Sequence, residues 1–225
     1  FDKGTVTGYL AGSGYSVVTT IAPMLLVIAD ILAMQKILGY SDAAYGSRQL
    51  FQATILYIFV FALLASAPLN AVLSRYVSDV IFNETYSDIM AAFHLGLWIS
   101  MAIDAIMVVP FAIHEYIVGG VDIVYVVTSV CCFIALSLVF YTMLYLSLCK
   151  DYGKISLFYF IGMAITLGIS YIFVNKFNME ITYSMLLAMT IGFIIIASLG
   201  YALLRQYFTQ NSKNYKDVLQ YIVRF

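Results

Sequence analysis

Two acids, Asp30 and Asp104, stand inside runs of apolar residues long enough to cross a bilayer. A charge near the bilayer centre costs roughly 2.5–3.5 kcal/mol on insertion scales, so such an acid faces a cavity, a partner or an ion path. The chemistry open to a carboxylate there is binding: a proton, a sodium ion or a cationic substrate. At about 100° per residue, Gly12, Ser16, Thr19, Pro23 and Asp30 fall within about 60° of one line. Gln52, Phe59, Ser66 and Asn70 share a line in the second run, with Pro68 near its end, and Gly96, Ser100 and Asp104 lie within about 80° in the third. A stripe of small polar residues suits a packing seam, where helices approach closely. It suits equally a water-filled translocation face, and packing alone requires no ionisable group. The candidate pathway residues are therefore Asp30, Asp104, Ser16, Thr19, Pro23, Gln52, Asn70 and Ser100. Tyr141 and Tyr145, one helical turn apart, join them as rings on which a sugar could stack, although most of the 19 Tyr and 16 Phe belong to interfacial belts and packing.

Catalytic chemistry has no comparable support. No Gly-rich loop ends in Lys-Ser/Thr, and His94 and His114, twenty residues apart, form no His-Glu-x-x-His pair. No Ser or Cys has a nearby His to activate it. Cys131, Cys132 and Cys149 are odd in number and lie in or at the end of an apolar run, which favours neither a disulfide framework nor a metal site. No enzyme activity, cofactor or metal is expected.

The elements that carry these residues follow from composition. Of 225 residues, 63% are hydrophobic and 10% charged, against about 25% charged in soluble domains. A formal net charge of −1 argues against a nucleic-acid partner. The apolar runs do not alternate, so an outer-membrane barrel is excluded and an all-α integral membrane protein is expected. Six spans are predicted, at about 14–36, 50–72, 92–113, 122–148, 157–174 and 183–204. With the N-terminus inside, Lys3, Arg75, Lys150, Lys154, Arg205, Lys213, Lys216 and Arg224 face the cytoplasm, and only Lys36, Arg48 and Lys176 face out. That asymmetry places both termini in the cytoplasm.

The connections are too short for a soluble domain. One of them, 73–91, carries Arg75, Ser78 and Asp79 just past the second span. Arg75 and Asp79 are four residues apart and could pair on a short helix, and this loop is expected to act in gating or partner docking. After the sixth span, Tyr215, Val218, Leu219, Ile222 and Phe225 recur at helical spacing among basic residues, predicting an amphipathic exit helix over 213–225 on the inner membrane surface. A start at Phe1 and an end inside that helix read as part of a longer protein.

The stretch Leu73-Ser74-Arg75-Tyr76-Val77-Ser78-Asp79-Val80-Ile81-Phe82 resembles the corresponding loop of the Pel exopolysaccharide transporters, within the multidrug/oligosaccharidyl-lipid/polysaccharide (MOP) exporter superfamily. Gly8-Tyr9-Leu10-Ala11-Gly12, Thr20 to Pro23, Tyr145-Leu146-Ser147-Leu148 with Lys150-Asp151-Tyr152-Gly153-Lys154, and Gly192-Phe193 before Leu203-Leu204-Arg205-Gln206-Tyr207 are similar too. The resemblance implies a MATE/MOP-like exporter of two six-helix lobes around a central cavity, with residues 1–225 as the N-terminal transmembrane lobe. It implies a partly cationic amino-sugar polysaccharide as substrate, exported across the bacterial inner membrane for a biofilm matrix. The partners implied are a cytoplasmic glycosyltransferase and the membrane subunits of a Pel-type synthase complex, within the lipid bilayer. A small-drug/cation antiporter, a lipid-linked sugar flippase and a non-transporting scaffold of a synthase complex are the alternatives.

Overall fold

In lipid, a backbone without a partner strand must close its own hydrogen bonds, and the helix is the way to do so. The computed structural model describes residues 23–148, 152–209 and 215–224, and among these it contains helices and turns but no strand. Helix α1 covers residues 23–37. Gly39, at φ 67°, and a 3-10 turn at Tyr40–Asp42 then turn the chain into α2, Tyr45–Phe82. There follow α3 (Ser87–Ile117), α4 (Ile123–Leu148), α5 (Tyr152–Phe177), α6 (Ile181–Tyr207) and α7 (Tyr215–Arg224). Among the described residues, five helices, α2 to α6, are long and apolar enough to cross a membrane. They correspond to the expected spans two to six. Of the first expected span, residues 14–22 lie outside the described residues, and with them Ser16 and Thr19; residues 23–36 are helical.

The expected connection 73–91 needs correction. α2 does not stop where charge first appears but runs on to Phe82, so Arg75, Ser78 and Asp79 sit on a helix. The reason is periodicity: Leu73, Tyr76, Val77 and Val80 recur on one face and are buried, while Arg75, Ser78 and Asp79 point outward. The helix ends in a Schellman turn, in which the Thr85 amide donates to the Val80 carbonyl (3.1 Å) and the Glu84 amide to that of Ile81 (3.2 Å). Glu84 takes the left-handed conformation there, at φ 57°. At 38 residues, α2 is about 57 Å long, well beyond a hydrocarbon core of about 30 Å.

α4 and α6 form the centre of the bundle, with α5 on α6 and with α2 and α3 on α4. Close approach of α5 and α6 depends on Gly192, where an added Cβ would overlap the Thr166 side chain. Of the expected exit helix 213–225, the described residues Tyr215–Arg224 are helical as α7, which packs back onto α2 and α3. Val218 is fully buried there, while Tyr215 and Leu219 remain exposed.

Candidate transport groove and buried acids

A cavity of about 830 Å³ lies between α1, α2, α4 and α5. On α1 it is lined by Pro23, Val27, Ile31 and Gln35, a row at intervals of four that places one face of the helix on the cavity. On α2 the lining runs from Phe51 to Leu63, about 18 Å of helix. Gln35 and Gln52 lie at the end nearest the α1–α2 turn, Ser147 and Tyr159 at the end nearest the α4–α5 turn. Between these polar ends the wall is aliphatic and aromatic, with Phe59 and Phe140 among its members. The Phe59 ring is held edge-on against the buried Phe193 of α6, with centroids 6.2 Å apart. Among the described residues, no Asp, Glu, Lys, Arg or His lines this groove.

Of the residues the sequence singled out, Pro23 and Gln52 lie on the groove. Asp30 and Asp104 do not. Both are almost completely buried, at 3% and 1% exposure, and among the described residues all four of their carboxylate oxygens lack a hydrogen-bond partner. On α1, Asp30 falls about 20° beyond Pro23, on the side away from the groove-lining arc. Asp104 lies on the α3 row Phe93, Gly96, Ser100, Asp104 that packs on α4. The Ser137 hydroxyl of α4 is beside it but makes no hydrogen bond among the described residues. An unpaired carboxylate in so apolar a place is costly, and a proton, a cation or a water would relieve it. Ser100 is buried on the same seam. Asn70 also has a buried side-chain oxygen with no hydrogen-bond partner among the described residues, and lies off the groove.

Tyr141 and Tyr145 are fully enclosed rather than presented to a cavity. The Tyr141 hydroxyl donates to the Phe93 carbonyl (2.8 Å) and lies 3.2 Å from that of Tyr145. With Phe93 and Tyr201 they make an aromatic cluster that ties α3 to α4 and α6. It admits this packing only because position 96 is glycine, where a Cβ would meet the Tyr141 hydroxyl.

At the far end of α2, the Tyr221 hydroxyl of α7 donates to the Asp79 carboxylate (3.0 Å), and the Tyr221 ring packs edge-on against Tyr76 at 5.1 Å. Desolvation, then the Asp79 carboxylate, raise the Tyr221 phenol above its usual range, while nearby Arg75 works the other way. The phenol therefore stays a donor at neutral pH. Asp79 thus meets α7, and the Ser78 hydroxyl bonds back to the Ser74 carbonyl (2.7 Å).

Sequence reasoning did not single out Gln35, Phe140, Ser147 and Tyr159 as groove residues. The row Pro23, Val27, Ile31, Gln35 was available as a signal, but apolar positions facing a groove and those facing lipid look alike in a sequence.

Five long apolar helices carrying such a groove define a multi-pass α-helical membrane protein. Residues 1–225 match the family of PelG, described as "Putative exopolysaccharide Exporter (EPS-E)", and the chain belongs to that family. The membership implies a transport role with a polysaccharide substrate. No curated protein and no solved structure matches the chain.

Proposed function

We propose that the groove between α1, α2, α4 and α5 forms one wall of the path by which a Pel-type polysaccharide is exported across the bacterial inner membrane. One observation carries this reading: in a member of an exopolysaccharide exporter family, the large groove has, among the described residues, an uncharged wall of aliphatic side chains and aromatic rings with amides at one end. Aromatic and aliphatic surface meets the apolar faces of sugar rings, and Gln35 and Gln52 offer both donors and acceptors to their hydroxyls. Such contacts are individually weak, which lets a chain advance through them.

In this reading the chain is the N-terminal, six-span lobe of a MATE/MOP-like exporter, with both termini cytoplasmic, and a cytoplasmic glycosyltransferase of a Pel-type synthase complex feeds it. Asp30 and Asp104, off the groove and without hydrogen-bond partners among the described residues, act in coupling: each takes up and releases a proton or sodium ion as the lobe rearranges, rather than touching the polymer.

Tryptophan scanning tests the groove. Ile55→Trp and Phe59→Trp narrow it and should cut secreted polysaccharide at unchanged protein level. Val60→Trp, on an exposed position outside the groove lining, should leave secretion at the parental level. Equal secretion by all three variants would remove the groove from the path.

A further inference from the structure

A second cavity, of about 120 Å³, lies between α2, α3 and α4. Ligand pockets run to about 300–1,000 Å³, so this one has room for several waters rather than for a sugar. It begins at Glu115 and Val121, beside the α3–α4 turn, and reaches inward to Phe61, Met107 and Phe133. Three hydroxyls stand on its walls. The Tyr125 hydroxyl donates to that of Thr54 (3.3 Å), and the Ser129 hydroxyl donates to the Tyr125 carbonyl (2.8 Å).

Asp104 stands where this crevice stops. On α3, Val108, Phe111 and Glu115 line the crevice; Asp104 continues their row one turn deeper, within about 40° of each. On α4, Val126, Val130 and Phe133 line it, and Ser137 extends that row in the same way, again within about 40° of each. The two rows meet, with the Ser137 hydroxyl beside the Asp104 carboxylate. Asp104 is 1% exposed and Ser137 fully buried, and neither has a hydrogen-bond partner among the described residues. On the other side of Asp104 the seam is shut. Tyr141 fills the space over Gly96 and is bonded to the Phe93 carbonyl, and the Tyr145 and Tyr201 rings pack on Phe93. The carboxyl group thus lies at the blind end of a crevice whose mouth, at Glu115, is partly exposed.

A metal cation must exchange its water shell for several protein oxygens, and among the described residues one hydroxyl, that of Ser137, is beside this carboxylate. A proton needs a single acceptor. We infer that Asp104 is a proton-binding site loaded along the crevice between α2, α3 and α4, with Ser137 as its positioning residue. A hydronium ion arriving through crevice water gives its proton to the carboxylate and leaves as water; the neutral carboxyl then donates to the Ser137 hydroxyl oxygen. The titratable groups around the route are Tyr57 of α2, Tyr125 of α4 and Glu115 of α3, with His114 3.5 Å from Glu115 at the mouth and Tyr141 on the inward side. Among the described residues no Lys or Arg lines the crevice, and α7, which also packs on α3, does not reach it. Met107 and Phe133 close the last turn before Asp104, and the flexible methionine side chain is the part that can swing aside. Use of this proton in coupling rests on the proposed export path; the site and its route do not.

Infrared difference spectroscopy on the intact protein in lipid reads the C=O stretch of a protonated carboxyl group. A band lost in Asp104→Asn and moved in Asp104→Glu belongs to this side chain. It should vanish reversibly as pH is raised, shift on transfer to D2O, and move to higher frequency in Ser137→Ala, which removes its hydrogen bond. Ala112→Trp and Ser129→Trp fill the crevice and should slow the D2O shift, whereas Met107→Ala should speed it. Val109→Trp, on an exposed position outside the crevice lining, should exchange at the parental rate. A band absent at every pH, or present and unmoved by D2O, would overturn the site. An unmoved frequency in Ser137→Ala would overturn the role of Ser137, and parental exchange in both filled variants would overturn the route. Loss of the band on adding sodium at fixed pH would make the ion sodium and overturn the proton. The readout needs no polymer, so a titrating, exchanging band together with secretion unaffected by the groove variants would leave the proton site standing and remove the export path.

Discussion

Gly96→Ala is the smallest change that should disturb the α3–α4 seam. The added Cβ would stand 2.6 Å from Leu73 Cδ1 and 3.3 Å from Tyr141 Cζ, and would overlap the Tyr141 hydroxyl. Leu73 can yield by turning its side chain. Tyr141 cannot, because its hydroxyl is bonded to the Phe93 carbonyl and its ring is fully enclosed. Overpacking of this kind costs about 1–3 kcal/mol, and two opposed groups put the site at the upper end. Replacing a mid-helix glycine by alanine gives back about 1 kcal/mol of helix propensity, so the net destabilisation should be about 2 kcal/mol. Tyr141→Phe alone forfeits its hydrogen bonds to Phe93 and Tyr145 and should cost about 1–2 kcal/mol. In the double variant the overlapping atom is gone, so Gly96→Ala should be nearly neutral in the Tyr141→Phe background. The coupling is then about 2 kcal/mol, measured as a double-mutant cycle by equilibrium unfolding in mixed micelles. Additivity within about 0.5 kcal/mol would refute the claim that Gly96 exists to seat Tyr141.

Glu84→Gly should stabilise the protein by about 0.5–1 kcal/mol in the same unfolding assay, because the left-handed position that ends α2 suits glycine. Asp30→Asn and Asp104→Asn should each leave protein level unchanged and make export insensitive to the proton or sodium gradient; gradient-dependent export by the double variant would return both acids to a packing role. Accessibility tags at positions 117 and 178 should react from outside and tags at 84 and 152 from the cytoplasm, as the Lys/Arg asymmetry requires; reaction of 117 only from inside would reverse the topology.

Long apolar helices are legible because lipid leaves so few alternatives, and the expected spans two to six fall on α2 to α6. The course of α2 past Ser74 was less so. Charge at Arg75 reads as an exit from the membrane, which ends an apolar run but not a helix; the buried row Leu73, Tyr76, Val77, Val80 carries the helix on. Asp104 shows a different limit. Its row with Gly96 and Ser100 can be drawn from spacing alone, yet spacing does not say what faces it, and only the structure sets Tyr141 and Ser137 of α4 against that row. For Tyr141 and Tyr145 the one-turn spacing was visible, whereas their enclosure depends on Phe93 and Tyr201 from two other helices. The groove was half legible: its members Pro23 and Gln52 lay on polar stripes, but Phe140 and Tyr159 join it only when α4 and α5 close around α1 and α2.

The most direct test of the export path is a photo-crosslinking residue placed at position 52, in the groove, and at position 60, outside its lining, in cells that are secreting polymer. The account predicts a polysaccharide-bearing adduct of high mass from position 52 and none from position 60. An adduct from position 60 alone, or none from position 52 while secretion proceeds, would contradict it.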